Sequence, residues 1–356
     1  MLDGDQVVRH VRFGDGDIAW SSVGSGPVIV LGGWWSSHLV HDWESPQFRD
    51  FVTRLAEHFT VVRYDPPGVG LSRRVGGVSS ELALNVRALA AVIEACSTAP
   101  VILVAGSSGC PVVVALAADR REVVDRLVLY GGYLRGADVA APSDRDAIVA
   151  LVRRNWGISS RILSEIFRPD ATGEERRAFA AAQRRSASAD EAATALAAVY
   201  QFDASEHAGR VAVPTLVLHR RGDRAIRFAL GRDLADSIPG ARFDALDGVD
   251  HFPWYGDADA VTQRILSFLG VDEPPPAIAT AAAERPDPLA ALSTREIEVL
   301  RLVGDGLTDG QIGQRLFLSP HTVHRHVANA RTKLGVPTRA AAASLVAAAV
   351  AARDSS

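Results

Sequence analysis

The residues best placed to do chemistry lie at Val101-Ile-Leu-Val-Ala-Gly-Ser-Ser-Gly-Cys110, an apolar run that breaks into small residues. A helix-like stretch follows at Val112–Ala118. A strand that turns sharply into a helix lifts a serine hydroxyl out of the end of a sheet, and the turn needs small residues on either side of that serine. Two registers compete. Ser107 is flanked by Ala105 and Gly109, and Ser108 by Gly106 and Cys110. Ser107 is preferred, because Gly109 relieves the tighter squeeze against the helix. Ser108 stays open as the alternative, since Pro111 stands where helix amides begin to be needed. A serine hydroxyl is a weak nucleophile at neutral pH and requires a base.

Suitable partners occur downstream. The run Pro214–Leu218 leads into His219-Arg-Arg-Gly-Asp223, and Gly248-Val-Asp-His251 comes later. His251 would accept the serine proton and return it to the leaving group. Asp223 would fix the imidazole tautomer and stabilise the imidazolium. The developing oxyanion needs donors. The amides of Ser108 and Trp34 are the candidates, with Gly33 allowing close approach after Val30-Leu31-Gly32. Each residue alone would also suit a plain turn or a packed core, and their joint occurrence favours chemistry. Asp65-Pro-Pro-Gly-Val-Gly-Leu-Ser72 reads as a structural turn, too short for a dinucleotide-binding loop.

Elements must hold these residues together. Short apolar or β-branched runs at Val28–Leu31, Val61–Tyr64, Val101–Ala105, Leu127–Tyr130, Pro214–Leu218 and Arg242–Leu246 predict buried parallel strands. Helical stretches such as Phe48–His58 and Leu82–Ala95 alternate with them, which predicts an α/β sheet covered on both faces. Residues 11–23 suggest an antiparallel hairpin turning near Gly14-Asp15-Gly16. Residues 137–204 are rich in Ala and Arg and read as a helical cap inserted in this domain, which spans 1–270. The cap and the sheet top would enclose a pocket lined by Gly33, Trp34, Trp35 and Trp156.

Residues 271–289 contain Pro274-Pro275-Pro276, Pro286 and Pro288 and read as a linker. Residues 290–352 then read as four helices. Ser293 with Glu296 forms a capping box, Thr308 caps a second helix, and Ser319 with Pro320 opens a third. Two helices joined tightly at Phe317-Leu318-Ser319 predict a helix-turn-helix. The third helix sets Val323, Val327, Ala330 and Leu334 on one face and His324, Arg325, Arg331 and Lys333 on the other. An apolar back and a face of donors suit a duplex DNA groove.

Composition narrows the classes. The chain has 356 residues, room for about two domains. It is 47% hydrophobic and 22% charged, which argues against global disorder. Its net charge is −4, yet residues 290–356 carry eight Lys/Arg against five Asp/Glu. A basic tail on an acidic body agrees with nucleic acid as partner. Two cysteines cannot form a disulfide framework. With no apolar leader and no membrane-length apolar run, a reducing cytoplasm is expected. The ten histidines show no metal-ligand spacing, so no metal and no cofactor is expected.

Residues 1–270 resemble the α/β-hydrolase family. The resemblance rests on the serine turn, Asp65–Ser72, Gly222-Asp223 and Asp250-His251, in the family's chain order. The family's elbow aligns without gaps from Leu103 to Gly132 and places Ser107 on its nucleophile. Ala105 and Cys110 depart from the family's usual glycines. Ser37-His-Leu39 and Asp42-Trp-Glu44 resemble a subgroup often fused to signalling output domains. Residues 290–352 resemble the LuxR/FixJ-type (GerE) DNA-binding domain. The matching residues include Leu292-Ser293, Arg295-Glu296, Gly306-Leu-Thr308, Ser319, Thr322-Val323, His326 and Lys333-Leu-Gly-Val336.

That resemblance implies that His324, Arg325 and Ala328 read bases, with Thr322 also at the DNA. Arg331 and Lys333 would hold phosphates, and the fourth helix would pair two copies of the chain. His324 replaces the family's usual lysine, which would make DNA affinity pH-sensitive. Together these features lead to the expectation of a transcriptional regulator whose hydrolase-like domain binds a small ester- or lactone-like signal. The alternative is an active serine esterase or lactonase with an accessory DNA-binding domain.

Overall fold

The computed structural model describes residues 6–72, 81–271, 292–304, 307–316 and 318–334, together with 339, 342, 343, 345 and 346. The chain divides into two compact units, Met1–Glu273 and Pro274–Ser356.

The first unit is built on one eight-stranded sheet in the order β1-β2-β4-β3-β5-β6-β7-β8. Its strands are β1 (Val7–Phe13), β2 (Gly16–Gly24), β3 (Val28–Leu31), β4 (Thr60–Tyr64), β5 (Val101–Gly106), β6 (Val124–Tyr130), β7 (Thr215–Arg220) and β8 (Arg242–Leu246). β1, β2 and β4 pair antiparallel, and the remaining pairs are parallel. The hairpin is longer than its sequence pattern suggests, since β1 begins at Val7 rather than near residue 11. β1 is an edge strand carrying Arg9 and Arg12, charges that discourage further strand pairing. The central strand β5 is buried from Val101 to Ala105, as a strand covered on both faces must be.

The helices of this unit are α1 (Leu39–Glu44), α2 (Pro46–Ala56), α3 (Leu82–Cys96), α4 (Gly109–Asp119), α5 (Pro142–Arg154), α6 (Trp156–Phe167), α7 (Gly173–Ser186), α8 (Ala189–Val199), α9 (Ser205–Ala208), α10 (Phe228–Asp236) and α11 (Ala258–Phe268). α4 is buried on every side from Gly109 to Ala117, which explains its uniformly apolar sequence. α5 to α8 lie between β6 and β7 in the chain and form the cap. Their starts are fixed locally. Asn155 caps α6, while Thr172 with Glu175 and Ser188 with Glu191 make full capping boxes for α7 and α8.

The second unit contains α12 (Thr294–Gly304), α13 (Asp309–Leu316) and α14 (Pro320–Leu334). The caps expected from sequence form here. The Ser293 amide donates to Glu296 Oε2 at 2.8 Å, and the Thr322 amide donates to Ser319 Oγ at 3.1 Å. Val299, Ile312, Val323 and Val327 form one apolar cluster, and Leu292, Leu300, Ala330, Ala342 and Val346 form another. Of the fourth helix, residues 339, 342, 343, 345 and 346 are described and are helical. The rest of that helix, the linker from 272 onward, and Phe317 in the turn lie outside the described residues. No helix among the described residues is long and apolar enough to cross a membrane.

Candidate functional site

Ser107 stands in the turn between β5 and α4 with φ 51°, the only positive φ of any non-glycine residue among those described. Such a left-handed conformation costs on the order of 1–3 kcal/mol and persists only where the surroundings enforce it. The surroundings do so here. The Ser107 amide donates to the Tyr130 carbonyl at 2.9 Å, and the Ser107 carbonyl accepts from the Cys110 amide at 3.1 Å. Ser108, by contrast, has ordinary helical angles and serves as the N-cap residue of α4. Strain at the turn therefore falls on Ser107, the register preferred from sequence. Pro111 presents no obstacle. α4 starts at Gly109, so Pro111 lies in the first turn, where amides have no intrahelical partner.

The two departures from the family's glycines are accommodated by glycines opposite them. A Cβ on Gly32 would lie 2.9 Å from Ala105 Cβ, and one on Gly132 would lie 2.3 Å from Cys110 Sγ. The methyl group and the thiol occupy the space those glycines leave. Cys110 is fully buried with its thiol toward the Ala105 carbonyl, and burial pushes its pKa up to about 12. It is therefore an inert packing group.

Asp223 and His251 meet at the end of the same sheet. His251 Nδ1 lies 2.8 Å from Asp223 Oδ2, and both residues are buried. A ring nitrogen facing a carboxylate carries the proton, which leaves Nε2 as acceptor. Asp223 Oδ1 accepts from the amides of Ala225 at 2.8 Å and Ile226 at 3.1 Å. Burial alone would raise the Asp223 carboxyl. His251, His219 and the Ile226 amide together outweigh it and hold the carboxyl below its usual range. Ser107 and His251 border one narrow cavity with Trp34, Phe252 and Trp254.

A larger cavity of about 270 Å³ opens beside Ser107 and Ser108. Trp35 and the cap residues Ile148, Ile166, Phe167 and Leu196 supply its apolar wall, and Asp144 and Arg224 its charges. A second space of about 50 Å³ is bordered by Gly33, Trp34, Trp35 and Ser108. Trp35 and Ser108 thus border both. The sequence reading of Trp156 needs correction. Trp156 stands behind Trp35 at 6.4 Å between ring centroids and is absent from the lining of both cavities. Its indole donates to the Ala187 carbonyl at 2.9 Å, so it ties α6 to the chain after α7.

Residues that sequence reasoning missed also surround His251. The Phe167 carbonyl, at the end of α6, accepts from the His251 amide at 2.8 Å, and the Phe167 ring stacks on the imidazole at 5.4 Å. Gly131, at φ 54°, approaches the pair so closely that a Cβ there would lie 3.4 Å from Asp223 Oδ2. His219, fully buried, has Nε2 2.9 Å from the Ile226 carbonyl and 3.6 Å from Asp223 Oδ2. Only the pair Gly131-Gly132 after a strand carried a local signal; Phe167 is one apolar residue among many.

In the second unit, α14 turns Val323, Val327 and Ala330 inward and leaves His324, Arg325 and Ala328 exposed. His324 Nδ1 lies 3.6 Å from Asp309 Oδ2 on α13. Thr322 is half-buried, its hydroxyl 2.7 Å from that of Ser319. Arg331 is half-buried. The phosphate role expected for Lys333 meets a competitor. Its ammonium donates to both oxygens of the buried Glu296 carboxylate, at 2.8 and 3.1 Å.

Comparison with known proteins agrees with this division. The chain belongs to the α/β-hydrolase family, whose model matches residues 28–264. Residues 290–346 match the model of bacterial regulatory proteins of the luxR family, so a LuxR-type DNA-binding domain is fused to the hydrolase domain. A pyrrolizixenacetamide deacetylase from Xenorhabdus hominickii is 27% identical over 273 residues, 75% of this chain and 100% of that protein. The transcriptional activator DevR/DosR of Mycobacterium tuberculosis is 44% identical over 62 residues, 17% of this chain and 29% of its own length. Among solved structures, the enol-lactonase from Burkholderia xenovorans LB400 matches with a TM-score of 0.62 and 24% identity, over 74% of this chain and 100% of that one. At that identity the likeness concerns the fold.

Proposed function

We propose that the protein is a DNA-binding transcriptional regulator whose α/β-hydrolase unit takes a small ester- or lactone-like molecule as its signal. The carrying observation is that Ser107 and His251 border one cavity while His251 is bonded to Asp223, on the same chain as a helix-turn-helix. The signal's carbonyl would sit at Ser107, with its apolar part in the 270 Å³ cavity under the cap. Bound signal can change DNA affinity only by binding one conformational state better than another. On DNA, His324, Arg325 and Ala328 face the bases, and two copies of the chain read two half-sites.

The strain at Ser107 and the His251–Asp223 bond favour a second reading alongside the first, in which the unit also hydrolyses what it binds. Ser107 Oγ attacks the carbonyl and His251 Nε2 takes its proton. Asp223 stabilises the imidazolium, and the amides of Ser108 and Trp34 receive the oxyanion. The proton then passes to the leaving oxygen, and water repeats the sequence on the acyl-serine.

A fluorophosphonate probe, read by intact mass and peptide mapping, tests the site. One adduct on Ser107, lost in Ser107→Ala while DNA binding persists, is the expected outcome. An adduct on Ser108 would move the nucleophile. No adduct on folded protein would leave a receptor without turnover.

A further inference from the structure

His251 sits in a loop, residues 247–257, that contains neither helix nor strand. The Asp223 bond orients the imidazole but does not shape this loop. Beneath it lies Arg220, the last residue of β7, with 1% of its surface exposed. A buried guanidinium is normally matched by a carboxylate. The Asp250 carboxylate interacts with Arg220 electrostatically without a side-chain hydrogen bond, and Arg220 donates to four main-chain carbonyls of the histidine loop. Nη1 reaches those of Asp250 at 2.9 Å and Phe252 at 3.2 Å, and Nη2 those of Tyr255 at 2.5 Å and Asp257 at 3.4 Å. The first two flank His251 directly.

The loop's glycines fit the same centre. Gly248 and Gly256 have φ of 111° and 62°. A Cβ on Gly248 would lie 3.2 Å from Arg220 Cδ, and one on Gly256 would lie 3.4 Å from Arg220 Nη1. A Cβ on Gly256 would also lie 3.1 Å from Asp250 Oδ2, and the positive φ at both positions disfavours a side chain there, so glycines let the backbone pass close to the guanidinium.

The geometry points to Arg220 as a positioning residue for His251, a planar fork around which the histidine loop takes its shape. This rests on the triad reading above. Only a guanidinium offers donors in two directions in one plane, and a lysine at this depth offers a single point charge. Misplacement of a reacting group by about 1 Å costs on the order of 10²-fold in rate. Arg220→Lys in the full chain should therefore lower the fluorophosphonate labelling rate by about that factor. Arg221→Gln, the exposed neighbour, should label as wild type does.

A second readout separates this role from the triad reading. In protein labelled with ¹⁵N-histidine, the His251 Nδ1 proton should give a downfield resonance, assigned by its loss in His251→Gln. It should broaden or vanish in Arg220→Lys, and millimolar guanidinium should restore it, together with the labelling rate, in Arg220→Ala. If the wild type shows the resonance but takes no label, the triad chemistry fails and the positioning role stands. Where the Arg220 variants do not fold, Gly256→Ala displaces the loop with the guanidinium in place and should reduce both signals. Unchanged resonance and labelling in folded Arg220→Lys, or in Gly256→Ala, would overturn the proposal.

Discussion

Arg220 and Arg221 show how burial divides identical neighbours. They are adjacent and alike in type, yet Arg220 is 1% exposed and the Arg221 side chain 61%. Nothing in His219-Arg-Arg-Gly-Asp223 tells the two apart, because only the strand's pairing decides which one points inward. Ser107, Asp223 and His251 were legible because each stands in a short pattern of small or acidic neighbours. Trp156 was misplaced because its indole N–H needed a partner, and the Ala187 carbonyl lies away from the pocket. Asp42 supplies a prediction at this scale. Burial raises its carboxyl to about 7, against the opposing effects of the His38 amide and Arg63. A folded-state pKa above the unfolded value of 3.8 means that the group favours folding fully below pH 3.8 and loses that contribution as pH rises through about 7. Melting temperature measured from pH 5 to 8 should fall less steeply in Asp42→Asn than in the wild type. Parallel curves would remove Asp42 from the pH response.

At the scale of elements, the end of α6 is fastened to the histidine loop. Phe167 bonds and stacks on His251, and the Arg168 guanidinium lies 3.6 Å above the Tyr255 ring. The end of α6 and His251 are therefore directly coupled through Phe167. Phe167→Ala should cost about 3–5 kcal/mol of stability, as truncation of a buried Phe does, and should also slow labelling of Ser107. Loss of stability with an unchanged labelling rate in the folded fraction would confine Phe167 to packing. The strands and helices were largely legible, since period and caps are local signals. The fastening was not, because it joins residues 84 positions apart in the sequence. In the second unit, the Lys333–Glu296 pair joins α14 to α12. Lys333→Gln should lower the melting temperature of the C-terminal helices and leave the salt dependence of DNA binding unchanged. A slope reduced by about one ion would return Lys333 to the phosphates. Arg325→Ala should weaken specific DNA binding by about 1–3 kcal/mol, and unchanged affinity and sequence preference would take Arg325 off the bases.

For the whole molecule, the central claim is that occupancy at Ser107 in one unit alters DNA binding by the other. The order of the two domains was plain from the sequence, because proline-rich residues 271–289 separate two unlike hydrophobic patterns. No local motif says how the proposed signal would pass between them. A duplex selected from random sequence by the full chain supplies the DNA, and phosphonylated Ser107 supplies an occupied site. The deciding measurement is the Kd for that duplex, by fluorescence anisotropy, of unmodified and Ser107-phosphonylated protein at matched salt, with probe-treated Ser107→Ala as control. The account predicts a change of at least about 5-fold between the two forms, the lower end of ordinary coupling between sites, and none in the control. Equal Kd values for fully modified and unmodified protein would contradict it.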